Sequence, residues 1–312
     1  MNQVYTGGQI GAAPLRSFAE IKAEGPSRAE AIFSTWGMPR LGEAEIAEYF
    51  PRLKYVFYGA GSVQHFARPF LRAGIRVFSA WVANGVPVAE FTAAQIVLAN
   101  KGYFQLCERY KRDGWSRAVE FADHFMGNYG GKVGLLGVGA IGRNVAALLK
   151  PYALTVWAYD PYLSDERARE LCVIKAGIDD IFADCSVISN HIANSERTVG
   201  MLDYGHFSKM GEYATFINTG RGAQIVCPDM VRAMREVPTR TALLDVTDPE
   251  EPLPADSPIW QCPNIYVTPH RAGSVGQEKY RMGAYMIEEY ERIMNGAAPL
   301  FEVTDEMLAT MA

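Results

Sequence analysis

Lys132-Val133-Gly134-Leu135-Leu136-Gly137-Val138-Gly139-Ala140-Ile141-Gly142 opens as an apolar run and then turns through Gly137, Gly139 and Gly142. The pattern predicts a buried strand, a glycine turn and a helix from Arg143 to Leu149. A second short apolar run, Val156-Trp157-Ala158-Tyr159, closes on Asp160. Together they form a dinucleotide-binding fingerprint, and each part has a physical job. Gly137 permits the tight turn, Gly139 lets backbone approach a pyrophosphate, and Gly142 lets the helix pack close to its strand. The free N–H groups and positive dipole end of the helix then face the phosphates. Asp160 ends the next strand, where a carboxylate can bond both ribose hydroxyls. Its charge repels a 2′-phosphate, and Pro161-Tyr162 rather than a basic residue follows, so NAD is expected over NADP. A lone glycine motif is a weak signal; here strand, helix and terminal acid agree.

At 312 residues the chain is long enough for two domains, each with its own core. With 49% apolar and 21% charged residues it has the make-up of an ordinary globular protein. A net charge of −5, with no lysine or arginine block, argues against a nucleic-acid partner. Cys107, Cys172, Cys185, Cys227 and Cys262 are scattered without a CxxC pair, so buried reduced thiols are expected. No charged leader precedes an apolar core, and no stretch approaches the ~20 apolar residues of a membrane span. A cytoplasmic protein with no membrane partner is the expectation. Metal-ligand spacing is absent too, and no metal is expected.

Past the fingerprint, short apolar runs alternate with helical patterns. Val187–His191, Tyr213–Asn218, Thr241–Val246 and Ile265–Thr268 read as strands, and Pro228–Glu236 as a helix. Such alternation predicts a parallel sheet with helices on both faces, and a site at the carboxyl ends of its strands. Earlier in the chain, Lys54–Tyr58 and Ile75–Ser79 are strand-like, while Ala89–Tyr110 reads as one long helical stretch. The tail from Gln277 to Asn295 is helical, with Met282, Tyr285, Met286, Glu289 and Ile293 on a packing face. Trp81 and Trp115 read as packing residues, and His65, His124, His191 and His206 as structural or surface groups.

Three later strand ends each deliver a polar residue to the expected site. Ile217-Asn218-Thr219-Gly220-Arg221-Gly222 puts a guanidinium beside glycines, Leu244-Asp245-Val246-Thr247-Asp248-Pro249-Glu250-Glu251-Pro252 supplies carboxylates, and Thr268-Pro269-His270-Arg271-Ala272-Gly273 supplies an imidazole. With these runs, the fingerprint and Asn84-Gly85-Val86-Pro87-Val88-Ala89-Glu90, the chain resembles the D-isomer-specific 2-hydroxyacid dehydrogenase family from about Leu53 to about Gly296. The order of the motifs makes the resemblance far stronger than any one of them.

The resemblance implies an α/β protein. A doubly wound parallel-sheet NAD-binding Rossmann domain would occupy 100–276. A smaller flavodoxin-like α/β substrate domain would occupy 1–99, completed by 277–312. It also implies an oxidoreductase that moves a hydride between NAD(H) and a small 2-oxoacid or D-2-hydroxyacid, and a homodimer. Arg221 would hold the substrate carboxylate by charge-assisted, preferably bidentate, hydrogen bonds. His270 would give the proton in reduction and take it in oxidation, its imidazolium favoured by a nearby carboxylate. Counted on from Asp245 that carboxylate is Glu250; counted back from Pro252 it is Glu251. The strand end anchors the count better than the loop does, so Glu250 is favoured.

Asp245 would bond the nicotinamide carboxamide, Thr219 would line the nicotinamide ribose, and Ala140 and Ile141 would face the pyrophosphate. Ile192, Ala193 and Thr198 resemble the loop covering the adenosine, with Ala193 where the family commonly has proline. Gly220 and Gly273 complete the cofactor-binding set, alongside Arg221 and His270. In the smaller domain, Ala60 and Gly61 resemble a backbone cradle for the substrate carboxylate, and Asn84 sits where an asparagine can bond the substrate. Val63 and Arg271 depart from the pattern, replacing an acid and an apolar residue.

Two other readings compete. An NAD(H)-sensing, non-catalytic module on the same scaffold is disfavoured because Arg221, His270 and a carboxylate all stand together. Oxidation of formate or phosphite is disfavoured because formate-type members place an amide where this chain has Glu250.

Overall fold

The computed structural model describes residues 17–249 and 251–309, so Glu250 lies outside the described residues. The chain divides into two compact units, Met1–Asn84 with Val275–Ala312, and Gly85–Ser274. The first boundary falls at Asn84 rather than at residue 99, inside the helix Trp81–Ala99. The reason is packing: Ala89, Ala93, Ile96 and Ala99 of that helix are buried in the core of the larger unit.

In the smaller unit, β1 (Ala31–Ser34), β2 (Tyr55–Tyr58) and β3 (Arg76–Ser79) pair in parallel, in that order. The tail strand Glu302–Val303 adds antiparallel to β3. One face buries Val56, Val77, Phe66 and Phe70. The other stacks Phe57 on Phe78 against Met282 and Met286 of the tail helix Glu278–Met294.

The larger unit is a sheet of β4 (Tyr129–Leu136), β5 (Ala153–Tyr159), β6 (Ile174–Lys175), β7 (Val187–Asn190), β8 (Thr215–Asn218), β9 (Thr241–Leu244) and β10 (Ile265–Val267). All pairings are parallel, in the order β10-β9-β8-β7-β4-β5-β6. Alternate residues feed opposite cores. Leu136, Ile188, Phe216 and Leu244 point to one face, and Val133, Leu135, Val187, Ile217 and Leu243 to the other. A sheet apolar on both faces requires helices on both, which explains why these strands read as continuous apolar runs. Strand order runs outward in both directions from β4, so the loops after β4 and β7 part and leave a crevice. Because every strand points the same way, Gly137, Asp160, His191, Thr219, Asp245 and Thr268 all emerge at one edge.

Several expectations change. The stretch Ala89–Tyr110 is two helices, Trp81–Ala99 and Tyr103–Asp113, broken where Gly102 takes φ +66°. A Cβ at Gly102 would lie 2.3 Å from the Phe125 ring, so the break is built into the packing. The helix Trp81–Ala99 is long and apolar enough to cross a membrane by length and composition, against the expectation that no stretch approaches this; half of it is buried. Trp115 is 68% exposed and does not pack. All five cysteines are free, with Cys185 and Cys262 buried but Cys172 exposed.

Candidate active site

The glycine turn is shaped by close contacts. Gly137 has φ +87°, and a Cβ there would stand 2.8 Å from the His191 carbonyl oxygen. A Cβ at Gly142 would overlap the Gly137 carbonyl oxygen, so the helix Ala140–Leu149 can seat this close only with glycine. Gly139 differs, since a Cβ there would meet nothing within 4 Å. The space is open toward the helix N-terminus, which carries no side-chain cap. A pyrophosphate fits that cradle: unpaired N–H groups at Ala140 and Ile141 and room for phosphate oxygens. Asp160 is pre-set beside it, Oδ2 accepting from the Val138 N–H at 3.0 Å and Oδ1 from the Tyr162 N–H at 2.9 Å.

His191, the first residue past β7, lies under this turn. Its N–H donates to the Leu136 carbonyl at 2.7 Å and its Nε2 pairs with Ser189 Oγ at 3.0 Å. Burial pushes the imidazole down to about 4, so the ring is neutral and structural. The following loop, with Ala193 where a proline is common in the family it resembles, is tied together by Thr198. Its Oγ1 donates to the Ala193 carbonyl at 2.8 Å and accepts from the Ser195 N–H at 2.9 Å.

Around Arg221 the chain runs close to its neighbours. A Cβ at Gly222 would overlap the Thr247 carbonyl, 1.9 Å from its oxygen, so the loop after β8 lies flat on the loop after β9. Arg221 Nη1 donates to the Gly220 carbonyl at 2.7 Å. Thr219 is 6% exposed, and its hydroxyl lies 3.1 Å from Thr92 Oγ1.

Asp245 is buried at 2% exposure, and its carboxylate is largely engaged with protein. Oδ1 accepts from Thr268 Oγ1 at 2.6 Å and the Arg271 N–H at 2.8 Å, and Oδ2 accepts from the Ala272 N–H at 2.8 Å. Its own carbonyl accepts from the His270 N–H at 3.0 Å. These bonds hold the turn in which His270 takes φ +53°, a left-handed conformation uncommon outside glycine. The carboxylate expected from sequence to meet a carboxamide also holds the histidine turn, with one lone-pair site left on Oδ2.

Among the described residues, the carboxylate on His270 is that of Glu251, with Oε2 at 3.2 Å from Nδ1. Its other oxygen accepts from the Thr247 N–H at 3.0 Å, and Thr247 Oγ1 donates to the Pro249 carbonyl at 2.9 Å. The loop therefore curls back onto the end of β9; Glu250, favoured by counting along the chain from Asp245, lies outside the described residues. The sequence reading also missed Asn190, Asn218 and Gln224, three fully buried amides beside Arg221. Asn190 and Asn218 were signalled as polar residues at the ends of otherwise apolar strands; Gln224, in the turn Gly222–Gln224, carried no such signal. Arg271 is exposed, its backbone fixed by Asp245.

Within the smaller unit, Ser79 Oγ contacts the Ala60 and Gly61 carbonyl oxygens at 3.0 and 2.6 Å. Asn84 Nδ2 would be 3.3 Å from a Cβ on Gly61, so no larger residue sits there without moving it.

Residues 93–272 match the family model described as D-isomer specific 2-hydroxyacid dehydrogenase, NAD binding domain. The chain is 29% identical over 223 residues to a D-3-phosphoglycerate dehydrogenase of Archaeoglobus fulgidus, covering 72% of this chain and 42% of that one. It is 25% identical over 269 residues to a glyoxylate reductase of Korarchaeum cryptofilum, covering 85% and 80%. The chain spans about half the length of the curated D-3-phosphoglycerate dehydrogenases it matches. Its fold is similar to the NAD-complexed D-isomer specific 2-hydroxyacid dehydrogenase of Lactobacillus delbrueckii ssp. bulgaricus, with TM-score 0.74, 19% identity, and 88% and 86% coverage.

Proposed function

Because the chain belongs to the D-isomer specific 2-hydroxyacid dehydrogenase family, we propose that it interconverts a small 2-oxoacid and its D-2-hydroxyacid with NAD(H). The observation that carries this reading is the His270–Glu251 pair, set on the same sheet edge as Arg221 and the glycine turn. When bound, NADH supplies the hydride that reduces the carbonyl carbon. Gly139, Ala140, Ile141 and Asp160 hold its pyrophosphate and ribose, with Gly137 and Gly142 shaping the turn.

Arg221 takes the substrate carboxylate, exchanging its bond to the Gly220 carbonyl for a charge-assisted pair. With Nδ1 held by Glu251, Nε2 of His270 is the nitrogen that faces the reacting oxygen. It delivers a proton as the carbonyl becomes a hydroxyl, and recovers one in the reverse direction. Glu251 fixes the orientation of the ring. In the smaller unit the substrate-binding candidates are Ala60, Gly61 and Asn84, with Ser79 holding the first two. Small substrates such as glyoxylate, hydroxypyruvate or pyruvate, a cytoplasmic location and a homodimeric assembly belong to the same reading.

The test is NADH oxidation by the purified protein across a panel of 2-oxoacids, with formate and phosphite assayed in the oxidising direction with NAD. Turnover of at least one oxoacid, lost in Arg221→Ala while NADH still binds, is the expected result. Tight NADH binding with no turnover anywhere on the panel would replace it with a nucleotide-sensing role.

A further inference from the structure

Three amide side chains, Asn190 at the end of β7, Asn218 at the end of β8 and Gln224 in the turn Gly222–Gln224, meet in a fully buried cluster. Asn190 Nδ2 donates to Asn218 Oδ1 at 3.0 Å and to Gln224 Oε1 at 2.6 Å. On one side the cluster grips Ile192 at both peptide groups: Asn190 Oδ1 accepts its N–H at 3.2 Å, and Gln224 Nε2 donates to its carbonyl at 2.7 Å. On the other it grips the backbone flanking Arg221, where Asn218 Oδ1 accepts the Gly220 N–H at 3.0 Å and Asn218 Nδ2 donates to the Arg221 carbonyl at 3.1 Å. The backbone partners fix which way each amide faces, because an N–H can only donate and a carbonyl only accept. Each side chain thus has a donor and an acceptor engaged, and rotating one would strand polar groups away from water. Gly220 is pressed onto the cluster, since a Cβ there would stand 3.2 Å from both Asn190 Nδ2 and Gln224 Oε1.

We propose that Asn190, Asn218 and Gln224 are positioning residues that couple the loop Ile192–Thr198 to the Arg221 loop, so that seating the nucleotide fixes the carboxylate-binding arginine. The inference rests on the function proposed above. Its physical basis is that the network has no slack: a shift of Ile192 under bound adenosine must move or brace the two amide groups that hold Gly220 and Arg221. Backbone bonds from the Gly200 N–H to Ala223 and from the Leu202 N–H to Gln224 join the same segments farther on. They remain in side-chain variants, so substitution isolates the amide path.

The experiment is hydrogen exchange of the full chain with ADP, which lacks the nicotinamide half and has no reason to touch Arg221. Saturating ADP should slow exchange in the wild type over 191–198 and, through the network, several-fold over 219–224. In Gln224→Met the protection over 191–198 should persist while that over 219–224 falls to the ligand-free level. Gln224→Glu, of equal size, keeps the acceptor for Asn190 but replaces the donor to Ile192 by a buried carboxylate oxygen that repels its carbonyl; it should show at least the same loss and serves as the second variant if the methionine variant misfolds. Both variants should also lose kcat with the oxoacid by tenfold or more at unchanged ADP affinity. ADP protection confined to 191–198 in the wild type, or transmitted equally in the variants, overturns the coupling while leaving the dehydrogenase reading intact. If neither ADP nor NADH protects the Gly137–Gly142 turn, the cofactor reading falls, and the coupling with it.

Discussion

Oε2 of Glu251 lies 3.2 Å from Nδ1 of His270, while Oε1 of the same carboxylate is tied to the Thr247 N–H at 3.0 Å. The acid is therefore held at one end by the main chain as β9 ends and presents its other oxygen to the ring. A histidine on a left-handed backbone, more than half exposed on its side chain, gains its orientation from this contact and from the turn beneath it.

Replacing Glu251 by Gln should lower kcat for oxoacid reduction by about 10²-fold, the scale of a positioned acid–base group. The dissociation constant for NADH, read by fluorescence, should hardly move. The matched change Glu250→Gln should leave turnover near wild type. The opposite ranking would assign the role to Glu250.

Asp245→Asn is expected to destabilise the fold as well as the reaction. A carboxamide turns one N–H₂ toward backbone donors that Asp245 now accepts, leaving a buried bond unmade at a cost of roughly 2 kcal/mol. Denaturant unfolding and steady-state kinetics should both fall together. Activity lost at full stability would point instead to a direct bond between the carboxylate and the cofactor.

The two glycines with opposite surroundings make a paired test. Gly139→Ala meets open space, so thermal stability should hold while the NADH dissociation constant rises tenfold or more as the methyl enters the pyrophosphate cradle. Gly222→Ala meets the Thr247 backbone and should destabilise by about 1–3 kcal/mol, as overpacking does. Equal behaviour of the two variants in both measurements would remove the distinction between cofactor space and packing contact.

His191 sets a pH dependence. Its ordinary value is 6.5 and burial lowers it to about 4 in the fold. Between these values the unfolded chain binds a proton that the folded one excludes, so stability rises with pH through this window. The contribution is fully present above the unfolded value and is lost as pH falls toward about 4, for a total of roughly 3 kcal/mol. Unfolding free energies of wild type and His191→Gln, compared at neutral and mildly acidic pH, should converge as pH falls. A pH-independent difference would mean that the ring is not the titrating group.

What the chain spells out directly is the part of the protein governed by local rules. Apolar runs of strand length give β4, β7, β8 and β9, and the spacing of Gly137, Gly139 and Gly142 gives the turn that opens the helix Ala140–Leu149. Arg221, Asp245 and His270 are legible for the same reason: each stands at or just past the end of such a run, and parallel pairing brings all those ends to one edge. Chemistry that depends on side chains meeting across loops was not legible. Which glutamate reaches His270 depends on a loop folding back to Thr247, and the work of Asp245 depends on donors from Thr268, Arg271 and Ala272. The amide cluster joins residues as far apart as Asn190 and Gln224. Periodicity reports which face a residue turns to the core, whereas a hydrogen bond needs two atoms within about 3 Å, and only tertiary packing sets that distance.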